Sequence, residues 1–400
     1  MIKRERYLKF LTDAIDNEFI KVITGVRRSG KSVLLMQVQD ELRNRGISAD
    51  QIVSMNFESF RNAVYLNNPE KLYEDLMARQ NGKKLYFFFD EVQLVDRWQA
   101  VINSLRVDLP SDIYITGSNA SILSGELATL LSGRYVQVDV YPFSFAEFIT
   151  LKEIDATNKQ QVKQAYLEYR EFGGMPSVLD AQVTVDNRYD YLSTLYDSIM
   201  LRDVSQRSGE GNQQLLKMLT MVMLDSISSE VNVTKLVNRL KAAGYSITST
   251  RFREYVGLLE QAYLFYKIPQ VNIRGSQRLR ANDKYYVVDN GLWHSQVGEV
   301  LTNVGSQLEN IVCLELLRRG YDVKFGSIDG KEVDFVAEKR GERQYIQVTQ
   351  QMPENSNREI QNLIDVPGGY PKLLITGEEM TERQIEGIPV VPIYEWLLTE

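Results

Sequence analysis

Residues 25–32 read Gly-Val-Arg-Arg-Ser-Gly-Lys-Ser. Two glycines flanking a short loop, then a lysine and a hydroxyl, form a phosphate cradle. The loop N–H groups and the following helix N-terminus meet phosphate oxygens, and glycine permits the turn without a clashing Cβ. Gly25, Arg28, Ser29, Gly30, Lys31, Ser32 and Val33 are the candidate ATP contacts, with Lys31 directed to the β/γ-phosphates and Ser32 to Mg2+. A second constellation is Asp90-Glu91, preceded by the apolar run Tyr86–Phe89. Asp90 suits the magnesium shell, and Glu91 suits a base that polarises the attacking water. Gly117-Ser118-Asn119 follows another apolar run and offers Asn119, or alternatively Ser118, as a polar sensor of the γ-phosphate. Arg134 is a candidate arginine finger for a neighbouring subunit's nucleotide, with Arg202 as its rival and an ordinary surface arginine as the alternative.

These groups need strands that end together. Phe19–Thr24, Ile52–Phe57, Leu85–Phe89, Ile113–Thr116 and Tyr135–Val140 read as buried strands, alternating with helical stretches at Lys31–Arg45 and Pro69–Arg79. Near-continuous apolar strands between helices predict a doubly wound parallel sheet. Pro142-Phe-Ser-Phe opens a mostly helical region to about residue 210, punctuated by Gly173-Gly-Met-Pro176. From residue 212 three helices precede two strands, Leu264–Pro269 and Lys284–Val288, which is the order of a winged helix. Beyond Asn303 a helix at Ser306–Arg319 leads to strands Asp322–Phe325, Glu332–Glu338 and Gln344–Val348, a helix near Asn357–Ile364 and strand Leu373–Thr376.

Composition narrows the chemistry. Four hundred residues with 44% hydrophobic and 25% charged side chains predict a soluble chain of two or three domains. No apolar run approaches the roughly 20 residues of a membrane span and no signal-type segment follows the N-terminus, so a cytoplasmic protein is expected. One cysteine, Cys313, and one histidine, His294, exclude an internal disulfide framework and a Cys/His zinc site; Cys313 reads as core and His294 as a packed polar residue rather than a catalyst.

The net charge of −7 is unevenly spread: between residues 212 and 280, ten Lys/Arg face four acids. That local excess is the footprint expected for phosphate backbone binding. Thr248-Ser-Thr250 offers an N-cap to a recognition helix carrying Arg251 and Arg253, and Arg274, Arg278 and Arg280 would form a basic wing. The alternative is a protein-binding winged helix with a solvated basic face.

Taken together the motifs resemble prokaryotic AAA+ ATPases whose C-terminal part is catalogued as domain of unknown function 4143. The resemblance spans nearly the whole chain. It rests on residues 25–32, Asp-Glu-Val-Gln at 90–93 with Trp98, Thr-Gly-Ser-Asn at 116–119, Leu131-Ser-Gly-Arg134, Pro142-Phe-Ser-Phe, Gly173-Gly-Met-Pro176, Leu201-Arg-Asp203 and Ile346-Gln-Val348. It implies an α/β multidomain protein: an AAA+ P-loop core over 1–141, a helical lid over 142–211, a winged helix over 212–302 and a PD-(D/E)xK nuclease-like α/β domain over 303–400. It also implies a homo-oligomer, with a hexameric ring as one form it could take. In that nuclease-like domain Glu309 and Asp334 would be metal carboxylates, but Gln347 stands where a third acid is expected and Thr349 where a lysine is expected. Cleavage is therefore not expected: an amide ligates weakly and threonine supplies no cation. The leading functional expectation is an ATPase that binds and remodels branched or duplex DNA. Its rival is a nucleotide-dependent switch or protein-remodelling ATPase.

Overall fold

The computed structural model describes residues 2–123, 131, 133–179, 183–205, 213–274, 283–298, 303–352 and 358–399. They form two compact units, one of Met1–Tyr141 with Gln261–Tyr263, the other of Pro142–Glu260 with Leu264–Glu400.

The first unit is a five-stranded sheet of β1 (Ile20–Thr24), β2 (Ile52–Asn56), β3 (Leu85–Asp90), β4 (Ser111–Gly117) and β5 (Tyr135–Asp139). Its order is β2-β3-β4-β1-β5 and every pairing is parallel. Alternation along β3 explains why both faces are covered. Phe87 and Phe89 point toward α3 (Pro69–Met77) and α4 (Trp98–Asp108), packing with Leu72, Leu76, Trp98 and Ile102. Tyr86 and Phe88 point to the other face, among Leu34, Leu35 and Val38 of α2 (Lys31–Asn44) and Tyr7, Leu8 and Leu11 of α1 (Glu5–Asp13). Each such aromatic burial contributes about 1.5–3 kcal/mol, so the strand ends are held by a stiff core. In a parallel sheet the loops after β1, β3 and β4 leave at the same edge, where ligands of open α/β sheets bind.

Gln261–Tyr263 are part of this unit although the chain before and after those three residues is not. Tyr263 is buried in a left-handed conformation, φ 55°, with its hydroxyl engaged by Thr24 and Asp139 at the ends of β1 and β5. A bulky residue holds that backbone only where its surroundings over-determine it.

In the second unit, Ser144 caps the helix Phe145–Leu151 through a reciprocal bond pair with Glu147, which accounts for the Pro-Phe-Ser-Phe motif as a helix start. The Gly173-Gly174 pair is equally structural: a Cβ on Gly173 would stand 2.0 Å from Asp289 Oδ1, and one on Gly174 2.2 Å from the Phe143 carbonyl. Asp289 accepts from the Gly174 N–H at 2.7 Å and from Leu292 N–H at 3.1 Å, capping the helix Asn290–Val297. Burial pushes its carboxyl up to about 6.

Helices Gln213–Leu224, Val233–Ala242 and Ser249–Gln261 precede β6 (Phe265–Ile268), which pairs antiparallel with β8 (Lys284–Val287). An unexpected strand, β7 (Gln270–Asn272), lies between them in sequence and pairs in parallel with β9 (Asp322–Ile328). Hydrogen bonding therefore crosses the boundary expected at 302/303. After the helix Val304–Arg318, β9 is followed by β10 (Lys331–Lys339), β11 (Glu342–Thr349), the helix Arg358–Ile364, β12 (Lys372–Thr376), β13 (Gln384–Ile385) and β14 (Ile388–Pro392). The sheet runs β13-β14-β12-β11-β10-β9-β7, with β9, β10 and β11 antiparallel and β11, β12 and β14 parallel.

Candidate nucleotide site

The glycine loop follows β1 directly. Gly25 has φ 139°, and a Cβ there would lie 2.2 Å from the Val140 carbonyl oxygen, so no other residue fits. Gly30, φ 99°, is the N-cap of α2, and Lys31 is the first residue of that helix. This places the positive end of the helix at the loop. Ser29 and Lys31 are buried; Arg28 and Ser32 are exposed and Val33 is half-buried. Lys31 Nζ donates to the carbonyls of Gly25 at 2.9 Å and Val26 at 3.0 Å, and lies 4.0 Å from Glu91 Oε1.

At the end of β3, Asp90 accepts from Thr116 Oγ1 at 2.5 Å and from Asn56 Nδ2 at 3.0 Å. Burial raises its carboxyl above the ordinary value, opposed by the hydroxyls of Thr116 and Ser32. Contact between the hydroxyl of Ser32 and the carboxylate of Asp90 brings together the two oxygen donors expected to share one hard cation, so these residues fit magnesium. Glu91 turns out of the strand in a left-handed conformation, φ 55°. Its N–H donates to Thr116 Oγ1 at 3.0 Å, and its Oε2 accepts from Ser118 Oγ at 3.0 Å and Gln93 Nε2 at 2.5 Å. Of the two polar candidates after β4, Ser118 is thus the one bonded to Glu91, and Asn119 is fully buried one residue further on. Sequence reasoning assigned no role to Asn56, Gln93 or Thr116. Their shared signal is position, at or just beyond the C-terminal ends of β2, β3 and β4.

Arg134 is exposed and stands immediately before β5, its carbonyl accepting from Ile20 N–H at 2.9 Å. Since β5 runs parallel to β1, Arg134 lies at the opposite edge of the sheet from the loop, about 16 Å away at ~3.3 Å per residue. It does not join its own chain's site. Arg202, the rival, is exposed within the π-helical turn Met200–Val204.

The candidate nucleic-acid residues are also placed. Thr248 Oγ1 accepts from Arg251 N–H at 3.2 Å, capping the helix as expected. The Arg251 guanidinium donates to Glu254 at 2.8 Å and lies 4.5 Å over the Tyr255 ring. Arg253 is exposed, and Arg274 pairs with Asp329 at 2.7 Å. Arg278 and Arg280 fall outside the described residues.

In the second unit Glu309, Asp334 and Gln347 do converge. Asp334 N–H donates to Gln347 Oε1 at 3.3 Å, and Asp334 Oδ2 accepts from Val348 N–H at 2.7 Å. Burial raises the Asp334 carboxyl, and the Glu309 charge raises it further. A cation is present that the sequence reading did not find: Lys284 of β8 is buried with Nζ 2.5 Å from Glu332 Oε1 and 3.7 Å from Glu309 Oε2. Tyr286 donates to Glu309 Oε2 at 3.1 Å, and burial pushes the Glu309 carboxyl up to about 7. Thr349, where a lysine was expected, instead donates to the Gln351 carbonyl. Among the described residues no group of three His, Cys, Asp or Glu side chains is placed to hold a metal ion. His294 Nδ1 is 2.7 Å from the Glu171 carbonyl, and Cys313 is fully buried.

Comparison with known proteins agrees with the first unit. The AAA domain family matches residues 17–149. A domain of unknown function, DUF8612, matches residues 163–303, in place of the 4143 group expected from the motifs, and neither match reaches residues 304–400. An uncharacterized protein of Haemophilus influenzae is 44% identical over 400 residues, covering 100% of this chain and 99% of that protein. An uncharacterized protein of Methanocaldococcus jannaschii is 30% identical, covering 95% and 88% respectively. A Walker-type ATPase of Pyrococcus abyssi has a similar fold, with a TM-score of 0.51 at 15% identity over 74% of this chain and 96% of that one. No helix among the described residues is long and apolar enough to cross a membrane.

Proposed function

The chain belongs to the prokaryotic AAA-domain ATPases, and from that premise we propose that it hydrolyses ATP to grip and rearrange DNA. The observation that carries the catalytic half is the convergence of Lys31, Asp90 and Glu91 at one sheet edge, with Thr116 and Ser118 fixing the two carboxylates. Lys31 exchanges its two carbonyl partners for the β/γ-phosphates, and the α2 N-terminus receives the phosphate charge. Ser32 and Asp90 would hold the magnesium ion, which when bound neutralises phosphate charge. Glu91, once freed from Ser118 and Gln93, orients the attacking water, while Asn119 reads the γ-phosphate. Arg134, too far from its own loop, acts on a neighbour in a homo-oligomer such as a ring.

The DNA half rests on the excess of cations over residues 212–280 and on the capped helix bearing Arg251 and Arg253. In this reading residues 142–211 serve as lid, 212–302 as winged helix and 303–400 as a nuclease-like body that binds without cutting. Gel shifts with single-stranded, duplex, forked and four-way DNA at low salt test it; no shift on any of them defeats it. A second reading, a nucleotide-driven switch acting on protein, draws support from the engagement of Arg251 and Arg274 by Glu254 and Asp329. ATP turnover measured with and without DNA separates the two, stimulation favouring the first.

A further inference from the structure

The residues before α1 carry a guanidinium that no nucleotide-binding motif includes. Arg4 is 2% exposed and its Nη1 donates to two backbone carbonyls, Ser29 at 3.0 Å and Tyr141 at 2.8 Å. The guanidinium lies 4.5 Å over the Tyr7 ring, and the Tyr7 hydroxyl accepts from Tyr141 N–H at 3.3 Å. The Arg4 carbonyl in turn accepts from Leu8 N–H at 2.9 Å, tying the residue into the first turn of α1, whose Tyr7, Leu8 and Leu11 are core residues. Gln37 of α2 anchors the same segment independently, donating to the Ile2 carbonyl at 2.8 Å.

Ser29 is the residue before Gly30, so its C=O and the N–H of Gly30 belong to one planar trans peptide and point in opposite directions. Pinning that carbonyl to Arg4 aims the Gly30 N–H away from Arg4. Gly30 caps α2 in a left-handed conformation, where glycine's lack of a Cβ leaves the peptide otherwise free to turn. We propose that Arg4 is a positioning residue for ATP binding, which fixes the Ser29–Gly30 peptide so that the Gly30 amide is preset to receive a phosphate oxygen. A cation against the carbonyl end also polarises the peptide, making its N–H a stronger donor.

The inference rests on the ATPase reading, and the two fail differently: an unaltered chain without ATP turnover sinks that reading, whereas Arg4 is judged on its variants. Steady-state ATP hydrolysis and thermal unfolding are to be measured on Arg4→Met, Arg4→Lys and Gln37→Ala. Arg4→Met should raise KM for ATP about tenfold or more, the scale of a lost charge-assisted hydrogen bond, with kcat at saturation changed far less. Arg4→Lys, which keeps the charge and a donor, should recover part of that loss, and it serves alone if Arg4→Met does not fold. Gln37→Ala should lower the unfolding temperature and leave KM unchanged. The proposal is overturned if KM is unmoved in both Arg4 variants whatever their stability, or if Gln37→Ala raises KM as much as Arg4→Met does.

Discussion

Lys31 in the first unit and Lys284 in the second are both buried, and both stand near carboxylates, yet they are held in opposite ways. Lys31 leans on two neutral backbone carbonyls, with Glu91 no closer than 4.0 Å. The two carbonyl bonds are ones that phosphate oxygens can replace. Lys284 sits between Glu332 at 2.5 Å and Glu309 at 3.7 Å; burial disfavours its charge, but Glu309, Glu332 and Asp334 outweigh that and raise its proton affinity. There the ammonium is held by carboxylates, and breaking a buried ion pair by removing one partner costs stability. The two lysines thus differ in what holds them, neutral carbonyls in one case and carboxylates in the other.

The contrast can be broken at several points. The largest effect is expected from Glu91→Gln, which should lower kcat for ATP by about 10²–10⁴-fold with nucleotide binding retained, as measured by phosphate release and equilibrium binding. Equal loss of binding would show that Glu91 only builds the loop. Lys284→Met should leave turnover near normal but cost the chain about 3 kcal/mol in denaturant unfolding, because the carboxylates lose their cation. If it abolished turnover while the protein stayed folded, the distinction between the two lysines would fall.

The pH dependence sharpens the same point. Glu309 at about 7 and Asp289 at about 6 both lie above the ordinary carboxyl range. The folded state therefore holds protons that the unfolded chain releases, so these groups favour folding at low pH; the Glu309 contribution is lost as pH rises from about 4.5 toward 7 and the Asp289 contribution from about 3.8 toward 6. Glu309→Gln should flatten the stability curve over that window by up to about one proton, read from unfolding midpoints at successive pH values. A curve of unchanged slope would mean that Glu309 stays ionised against Lys284. The smallest effect concerns the proposed DNA face: Arg253→Ala should reduce the slope of log affinity against log salt by about one, measured by titration with duplex DNA.

The first unit was largely legible because its evidence is local. The glycine loop, the run Tyr86–Phe89 before Asp90 and the polar triplet after β4 each declare themselves within a few residues. Strand ends shifted by only one or two positions, as at β4, where Ser111 and Asp112 precede the apolar run and still pair with Leu85 and Tyr86. What sequence could not disclose depends on distant pairing. β7 is three residues long and exists because β9 offers it an edge. Lys284 enters the carboxylate cluster from a strand that precedes it in the chain, so no spacing rule around Asp334 and Gln347 could name it. The Gly173-Gly174 turn looked like punctuation; the Asp289 carboxylate packed against it is more than a hundred residues away in sequence. Which of Ser118 and Asn119 meets Glu91 is likewise not legible in the sequence, because adjacent residues at a strand end point to different sides; it is Ser118 that does.

Tyr263 carries a practical consequence for dissecting the chain. A fragment ending at Tyr141 would hold every residue of the nucleotide site and still lack the buried ring whose hydroxyl meets Thr24 and Asp139, one residue before the loop begins. Such a fragment is missing a plug from its own core. Its loss of ATP affinity should be mended by restoring that short downstream segment, and would not by itself argue for a second nucleotide-binding domain. A single cut along the sequence therefore divides this unit, whose residues are discontinuous in the chain.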